Sequence, residues 1–572
     1  MKRYNWKFLI TSVLVAGMIY SCGNDFLEKQ PYGAVTLETL SANLKGANAL
    51  LIAAYSNIDG YGGWEQGNPW GNAASNWTFG SIAGGDAYKG SEANDQPIIT
   101  PIERHEMDGN NEYVWSKWLS MYDGITRTNN AIRAFSALEG VDEGLRTLRT
   151  AEGRFLRGFY HLEAYKMWGK IPYIDETITE FRVPNDADIM PQIEADLKFA
   201  VDNLPLTQSE IGRATKGAAN ALLARAYLTK GNYASAKTAL DAIISSGVYK
   251  LTDKYHDNFN AATRNNSEGV LVVQQAVNEG SEGDNGNIGD VLNFPYNGGP
   301  GGCCGFNQPS QNLVNAFRTD DKGLPLLDTY NNQDVKSDQG LSSTDPFEPT
   351  TERLDPRIDW TVGRRGLPYL DWGPHPGAAW IRDQKYGGPY SPKKLVYYKS
   401  QEGSLTSAAG WTKGYTANNV KLVRYSDVLL MAAECEVEVG DLNKARGYVN
   451  QVRKRAANPD GFVKDDEGNA AANYVIGEYT DSWTSKDVAR KAVRFERRIE
   501  LGMEGHRFFD LVRWGIAAAE KNAYFAVEST KRTYLAGARF TAGKNEVYPI
   551  PAQAITLSAK DGVNTLTQNA GY

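Results

Sequence analysis

Three tryptophans lie close together in a glycine-rich stretch of the chain, at residues 61–90. They are Trp64, Trp70 and Trp77, and the polar side chains among them are Asn68, Asn72, Asn76 and Asp86. A flat aromatic ring offers an apolar surface on which the C–H face of a sugar stacks, while amide and carboxylate groups pair with its hydroxyls. The mixture is typical of a carbohydrate-binding site, although a tryptophan beneath a loop also serves as a core anchor.

Two further loop-rich stretches carry similar residues. Residues 279–306 end with the adjacent cysteines and a phenylalanine, and residues 363–390 place a tryptophan beside Asp371 and His375. Long glycine- and proline-rich loops within a compact protein are usually functional. The residues from all three stretches that we predict to contact a ligand are Trp64, Trp70, Trp77, Asp86, Cys303, Cys304, Phe306 and Trp372.

The adjacent pair Cys303-Cys304 is either bridged or present as two free thiols. Neighbouring Cα atoms lie about 3.8 Å apart, below the usual disulfide range of roughly 4.4–6.8 Å, so a bridge needs unusual backbone freedom. Three flanking glycines supply that freedom. Cys435 lies among apolar residues of a predicted helix, where a small buried thiol is expected. We predict a vicinal disulfide at the ligand face, with free thiols as the alternative.

Sequence motifs for catalysis are missing. The five histidines show no HExxH spacing and no GxSxG motif occurs. One cysteine pair without a second does not make a zinc site. A calcium site is conceivable among Asp284, Asn285, Asn287 and Asp290, but such residues more often cap turns. The sequence therefore predicts no catalytic residues, no metal and no cofactor.

The charged residues between 494 and 513 also resemble a catalytic cluster at first sight. Arginines and acids alternate there at the i, i+4 spacing of helical ion pairs. We therefore predict a structural role for this run, as ion pairs within and between helices.

Composition excludes several classes of protein. The chain has 572 residues, of which 41% are hydrophobic and 23% charged, so wholesale disorder is excluded. A formal net charge of −7 provides no basic excess for phosphates, so no nucleic-acid partner is predicted. Four cysteines are too few for a disulfide-stapled scaffold.

The N-terminal residues 1–21 have the pattern of a secretory signal peptide. Lys2, Arg3 and Lys7 precede an apolar run that is too short to span a bilayer as a helix. The run ends at Ser21-Cys22, which resembles a bacterial lipobox. We predict that Cys22 is lipidated and becomes the first residue of a mature chain at 22–572.

The mature chain alternates helical and loop-rich regions. Apolar periodicity predicts helices at 39–58, 112–138, 145–168 and 191–204. Residues 223–243 and 432–452 resemble each other, with Gly231, Ala236 and Ala224 in the first at the places of Gly440, Ala445 and Ala433 in the second. Small residues at those places let paired helices approach closely, as in the tetratricopeptide repeat, although two unrelated helical hairpins would look the same.

Several motifs together resemble the SusD/RagB family of outer-membrane nutrient-binding lipoproteins. The sequence reads FERRIELGMEGHRFFDLVRWG at 495–515, VYPIPA at 547–552 and LTQNAGY at 566–572. AEGRFLRGFYHLEAYKMWGKIP at 151–172 and PSQNLVNAF at 309–317 resemble further recurrent segments of that family. Ala570 stands where the family usually has proline, which affects only the tail.

The resemblance implies one SusD-like domain at 22–572, mostly α, with tetratricopeptide-like hairpins and a binding face built from loops. The helical scaffold would lie mainly in 39–58, 112–246 and 420–520, and the loop-rich binding regions in 61–110, 279–310 and 363–415. The resemblance also implies a lipid-anchored protein at the cell surface of the outer membrane. Such a protein captures oligosaccharides and delivers them to a SusC-like TonB-dependent transporter, without catalysis. Alternatives are a peptide-binding, RagB-like lipoprotein and a secreted helical glycoside hydrolase with aromatic subsites.

Overall fold

The computed structural model describes residues 36–60, 68–281 and 284–572. Cys22 and Trp64 lie outside these residues, so the predicted lipid anchor and the first predicted tryptophan contact have no structural description. Within the described ranges, no helix combines the length and apolar character that crossing a bilayer requires.

Helices dominate the regular structure of the described chain, as the sequence predicts. The α-helices are α1 (Leu37–Ser41), α2 (Leu44–Ser56), α3 (Thr100–Arg104), α4 (Glu112–Ala137), α5 (Glu143–Trp168), α6 (Met190–Asn203), α7 (Lys216–Thr229), α8 (Tyr233–Ser245), α9 (Gln311–Ala316), α10 (Ile358–Thr361), α11 (Gln384–Gly387), α12 (Tyr425–Val439), α13 (Leu442–Ala456), α14 (Lys486–Leu501), α15 (Arg507–Arg513), α16 (Ala517–Glu528) and α17 (Ala552–Leu557).

The strands of the described residues are short and form antiparallel pairs. They are β1 (Ala87–Gly90), β2 (Gly269–Val273), β3 (Phe306–Pro309), β4 (Val362–Gly363), β5 (Ser391–Pro392), β6 (Thr406–Ser407), β7 (Tyr415–Thr416), β8 (Val420–Arg424), β9 (Ala559–Lys560) and β10 (Val563–Asn564). The pairs are β1 with β3, β2 with β8, β4 with β5, β6 with β7 and β9 with β10. They fasten long loops to one another and build no extended sheet.

Side-chain caps explain where the helices begin. Asn111 accepts hydrogen bonds from two backbone amides at the start of α4, and Asp142 accepts one at the start of α5. The predicted helices at 112–138, 145–168 and 191–204 are thereby confirmed within two residues at each end. The predicted helix at 39–58 is in fact two helices. The Asn43 side chain caps the start of α2, so α2 is separate from α1.

The helices pack against one another largely in chain order, as a stack of hairpins. Contacts run from α2 to α4 and on through α5, α6, α7 and α8 to α12, which also packs on α13 and α14. The two similar segments do form helical hairpins, α7–α8 and α12–α13, which meet where α8 contacts α12. Their turns differ, since Gly231 has a positive φ and Gly440 does not. Assignment of these hairpins to the tetratricopeptide repeat stays a prediction.

A cluster of buried charges, which we call the central ion cluster, joins this stack to the loops. Its centre is Glu500 of α14, whose carboxylate accepts hydrogen bonds from Arg357, Arg424 and Arg455. Arg357 precedes α10, Arg424 ends β8 and Arg455 lies in α13, so one carboxylate connects four separate segments. The remaining members are Glu268, Arg453, Glu496 and Glu504.

The other carboxylates of the cluster are paired as completely. Glu496 accepts from Arg357 and Arg453, each at 2.7 Å, and Glu268 accepts from Arg424 and Arg455, each at 3.0 Å. Removal of one partner from a buried, fully paired set leaves an uncompensated charge, which is strongly destabilising. The structural role predicted for the charged run at 494–513 is confirmed by these contacts.

The electrostatics of Glu500 follow from its partners. Burial alone would raise the pKa of this carboxyl, but the guanidinium groups of Arg455, Arg424 and Arg357 hold its pKa well below the usual range. At Glu268, burial again acts to raise the pKa, but the charges of Arg455 and Arg424 lower it to about 2. Both groups therefore stabilise the folded state as anions.

We predict that Glu500→Gln lowers the free energy of unfolding by about 3–5 kcal/mol, because three buried guanidinium groups lose their shared anion. Urea unfolding followed by circular dichroism measures this change. Glu520→Gln is the matched control: Glu520 is half-exposed and pairs with Arg507, so the loss should stay below about 1 kcal/mol. Equal small losses in both variants would contradict the role of Glu500.

The same variant changes the acid sensitivity of the fold. A carboxyl with a depressed folded-state pKa contributes stability that is fully present above its unfolded pKa, here 4.5, and is lost as the pH falls through the folded value. Wild-type stability should therefore fall between about pH 4.5 and pH 2 more steeply than that of Glu500→Gln.

Candidate functional site

The turn that carries the adjacent cysteines lies at the centre of the loops. Cys303 and Cys304 form a disulfide, which confirms the bridged alternative. The Cys304 amide donates to the Leu292 carbonyl at 3.2 Å and the Gly305 amide donates to the Phe294 carbonyl at 2.8 Å. Cys304 is buried, whereas Cys303 is only half-buried, so one sulfur of the bridge is accessible from outside.

Tyr397 joins this turn to Trp372. The tyrosine hydroxyl accepts the Gly301 amide at 3.1 Å, and the Tyr397 carbonyl accepts Trp372 Nε1 at 3.0 Å. The two aromatic rings meet edge to face, with centroids 5.6 Å apart. Burial raises the pKa of Tyr397 to about 12 although the hydrogen bond from Gly301 opposes it, so the hydroxyl stays neutral near pH 7. Trp372 itself is half-buried and keeps part of its ring accessible.

Trp411 is the exposed tryptophan that the sequence analysis missed. It is 49% exposed and packs edge to face on the buried Trp70, with ring centroids 6.2 Å apart. The next residue, Thr412, donates its hydroxyl to the Gly301 carbonyl at 3.1 Å, which ties this loop to the disulfide turn. The sequence feature that could have indicated Trp411 is a single tryptophan between Gly410 and Gly414, in a stretch that the sequence analysis assigns to the loop-rich binding regions.

Tyr296 supplies a further aromatic ring beside the turn. Its amide donates to the Trp380 carbonyl at 3.0 Å, and the Arg382 guanidinium lies 5.3 Å from its ring centroid. Arg382 is held in turn by Glu92 and Asp95, at 2.7 and 2.6 Å. The ring of Tyr296 is therefore fixed in position although it is only half-buried.

We call the accessible surface of Trp411, Trp372, Tyr296 and Cys303 the aromatic face. Exposed polar side chains lie beside these residues: Asn297 follows Tyr296, Asp371 precedes Trp372, and Lys413 comes two residues after Trp411. The ammonium group of the exposed Lys399 lies 5.9 Å from the centroid of the Trp372 ring. Apolar rings with hydroxyl-pairing groups beside them suit an uncharged, hydroxyl-rich ligand that also has apolar faces.

Three predicted contacts lie inside the protein, which is a correction to the sequence analysis. Trp77 is 1% exposed and its Nε1 donates to the Gly289 carbonyl at 2.9 Å. Phe306 is fully buried, 6.2 Å from the Trp77 ring, and the buried Asp86 pairs with Arg498 at 3.2 Å. A ring without accessible surface offers nothing to a ligand, so these residues support the loops from beneath.

The other predicted contacts divide between surface and core. Trp372 and Cys303 are partly accessible, whereas Trp70 and Cys304 are buried directly beneath the aromatic face. Trp70 contributes by holding Trp411 in place. Residues 69–90 are almost all buried, which is why a count of tryptophans in this glycine-rich stretch overestimated the number of ligand contacts.

The residues considered for calcium act as turn residues in the described structure. Asn287 accepts the Asp290 amide at 3.3 Å, and Asp290 accepts hydrogen bonds from Ser75 and Asn293. Asp284 and Asn285 are exposed. No group of three or more His, Cys, Asp or Glu side chains in the described ranges is arranged to hold a metal ion.

One serine–histidine pair resembles a nucleophile and its base. His375 Nε2 lies 2.9 Å from Ser391 Oγ, but both residues are buried. The Gly377 amide donates to His375 Nδ1 at 3.0 Å, so the ring proton must lie on Nε2, pointing toward the serine. Burial first, and then the charge of Lys393, lowers the pKa of His375 to about 3. This arrangement does not activate Ser391 as a nucleophile.

Comparisons with known protein families agree with this architecture. A model of the SusD family matches residues 267–572. A second model, described as starch-binding associating with outer membrane, matches residues 25–228. Among curated relatives, the SusD-like protein P2 of Formosa agariphila is 22% identical over the whole length of both chains.

Solved structures share the fold. A SusD homolog from Bacteroides thetaiotaomicron superposes with a TM-score of 0.69 at 20% identity, covering 94% of this chain and 99% of its own. Surface glycan-binding protein A of the same species, in complex with laminarihexaose, superposes with a TM-score of 0.65 at 20% identity, covering 92% and 99%. The family match over more than half of the chain, together with this shared fold, shows that the chain belongs to the SusD/RagB family.

Proposed function

We propose that this protein binds an oligosaccharide or polysaccharide at the aromatic face and does not cleave it. The observation that carries the proposal is the grouping of Trp411, Trp372 and Tyr296 around one disulfide turn, on a SusD-family scaffold. The Trp372 ring is held by a hydrogen bond to a backbone carbonyl, whereas the Trp411 and Tyr296 rings are held by contacts with Trp70 and Arg382. Rings held in this way are pre-organised for stacking on sugar rings, so little side-chain entropy is lost on binding.

The class of ligand is suggested by relatives. One solved relative is described as a laminarin-binding SusD-like protein, and another was solved with laminarihexaose. Laminarin is therefore a reasonable first probe for this chain. Peptide capture shares the scaffold, and the charged side chains beside the aromatic face would also pair with a peptide terminus. The preference for a glycan therefore rests on the three aromatic rings and on the glycan-binding relatives.

The protein is further proposed to act at the outer membrane with a partner. Cys22 would carry the lipid that anchors it at the cell surface, and a SusC-like TonB-dependent transporter would receive the captured glycan. The support is the Ser21-Cys22 junction in the sequence and a family described as associating with outer membrane.

We predict that Trp411→Ala weakens glycan binding by about 1–3 kcal/mol, because one stacking ring is lost. Affinity gels with laminarin and other polysaccharides, followed by calorimetry on the retained one, measure the effect. The thermal unfolding midpoint should stay near wild type because half of the Trp411 ring is already exposed. Phe181→Ala, which removes a 60% exposed ring from the segment between α5 and α6, should leave binding unchanged.

Two further results complete this test. Trp372→Ala and the double variant Cys303→Ser, Cys304→Ser should also weaken binding, since they remove or loosen parts of the same surface. Binding that survives all three changes would place the ligand elsewhere. The appearance of new reducing ends during incubation with the bound polysaccharide would instead favour the hydrolase alternative.

We predict that the protein copurifies with a TonB-dependent transporter from outer membranes in mild detergent, and that its first residue is an acylated Cys22. Mass spectrometry of the purified complex measures both properties. Cys22→Ser should release the chain from the membrane while leaving glycan binding intact. Recovery of the wild type as a soluble chain that still carries its signal peptide would refute the anchoring.

A further inference from the structure

A cavity of about 330 Å³ lies within the helical stack, lined by side chains of α5, α7, α12, α14 and α15 and independent of the aromatic face. It is also lined by His506 and by residues 546–547 near the C-terminus. Four cationic side chains and two carboxylates face it, so positive charge is in excess among its lining residues. Its volume falls in the range of small-molecule sites.

Two arginines in its wall have nitrogen atoms that the described protein leaves without an acceptor. Arg225 uses Nη2 for both of its bonds, to the Leu422 carbonyl and Asp427, so its Nε and Nη1 have no acceptor among the described residues. Arg497 donates from Nε to Asp510 and from Nη1 to Asp427, so its Nη2 has no acceptor among the described residues. Both arginines bind the same Asp427 carboxylate, and both line the cavity.

Two of the nearby acids, Asp427 and Asp510, are already neutralised. Asp427 is fully buried and gives one oxygen to Arg225 and the other to Arg497. Asp510 gives one oxygen to Arg497 and the other to Arg513. Both of these acids are therefore engaged, while donors remain on the two arginines. Glu546 also lines the cavity, and one of its carboxylate oxygens has no hydrogen-bond partner among the described residues, so an additional anion is favoured at the arginines and not beside Glu546.

His506 adds a neutral imidazole beside the arginines. Burial first, and then the Arg225 and Arg497 guanidinium groups, lower its pKa to about 4 against the opposing charge of Asp427. Neither ring nitrogen has a hydrogen-bond partner among the described residues, so the N–H of the neutral ring is a further donor available to a ligand.

Another part of the wall is apolar. Phe509, Met431 and Leu228 line the cavity, and the Lys166 ammonium lies 4.6 Å from the Phe509 ring centroid. Burial of an aliphatic or aromatic group there would contribute about 25 cal/mol for each Å² removed from water. A ligand that matches the whole cavity thus needs both an anionic end and an apolar end.

We propose that this cavity is a binding site for an organic carboxylate: the carboxylate is held by Arg225 and Arg497, and an attached apolar group packs on Phe509. Guanidinium donors in a fixed fork favour a planar carboxylate over a single-point acceptor. The free end of a peptide and a small carboxylic acid share this chemistry.

The probes are 4-phenylbutyrate for a small acid and N-acetyl-phenylalanine for a peptide end, each compared with its uncharged amide. Calorimetry on the purified mature chain should show that at least one acid binds, and at least about tenfold more tightly than its amide, because only the acid forms charge-assisted hydrogen bonds. The tighter acid identifies the source of the carboxylate. Equal affinity of acid and amide, or no binding of either acid up to its solubility limit, would overturn the proposal.

Variants separate this site from the fold and from glycan capture. Arg225→Gln should reduce acid binding at least about tenfold, and Lys166→Gln by a smaller factor, because Lys166 adds charge without a direct contact to the carboxylate. Lys230→Gln is the matched control, since Lys230 pairs with Asp188 and does not line the cavity. If Arg225→Gln fails to fold, Lys166→Gln against Lys230→Gln decides the question, and equal affinities in that pair would refute the site. Glycan affinity should be unaffected throughout.

Discussion

The carboxylate of Glu500 is the interaction on which the rest of the structure depends. It accepts hydrogen bonds from Arg357, Arg424 and Arg455. These arginines lie in three different segments of the chain, and the helix of Glu500 is a fourth. A buried charge that is paired so completely is costly to disturb, because any rearrangement would leave a guanidinium group or the carboxylate without a counter-charge. In the described part of the chain, the helical stack and the loops are therefore held in one fixed relation with neither an extended sheet nor a disulfide between distant residues.

This constraint reaches the aromatic face through a short path. Lys394 donates to the Gly502 carbonyl and to Glu504, which itself pairs with Arg424 of the central ion cluster. Three residues later, Tyr397 binds both the disulfide turn and Trp372. The position of the Trp372 side chain on the surface is thus linked, through Tyr397 and Lys394, to the buried charges of the central ion cluster. Such support is what a stacking site requires, since a loose ring would lose its conformational freedom on every binding event.

The scaffold could be predicted from the sequence much better than the site. Helix α4 is readable because Asn111 caps it and its apolar periodicity is regular, and the ion pairs of α14 are readable from the spacing of their charges. Burial in the loops is set by distant contacts that local sequence does not contain. Trp77 looked like a surface residue among asparagines and glycines, but a Cβ on the nearby Gly80 would lie 1.9 Å from the Gly505 carbonyl oxygen. The segment around Gly505 thus packs directly against the segment of Trp77 and buries it. Trp411, in another loop, is exposed.

The central claim is that buried charges position the aromatic face, and hydrogen exchange in Lys394→Met tests it most directly. This variant keeps the length and apolar stem of the side chain but removes the three contacts of its ammonium group. The account predicts faster amide exchange at residues 299–305 and 395–399, with α4 and α5 unchanged, because the Gly301 amide is protected by the Tyr397 hydroxyl. Unchanged exchange at both segments, or equal acceleration over the whole chain, would contradict it.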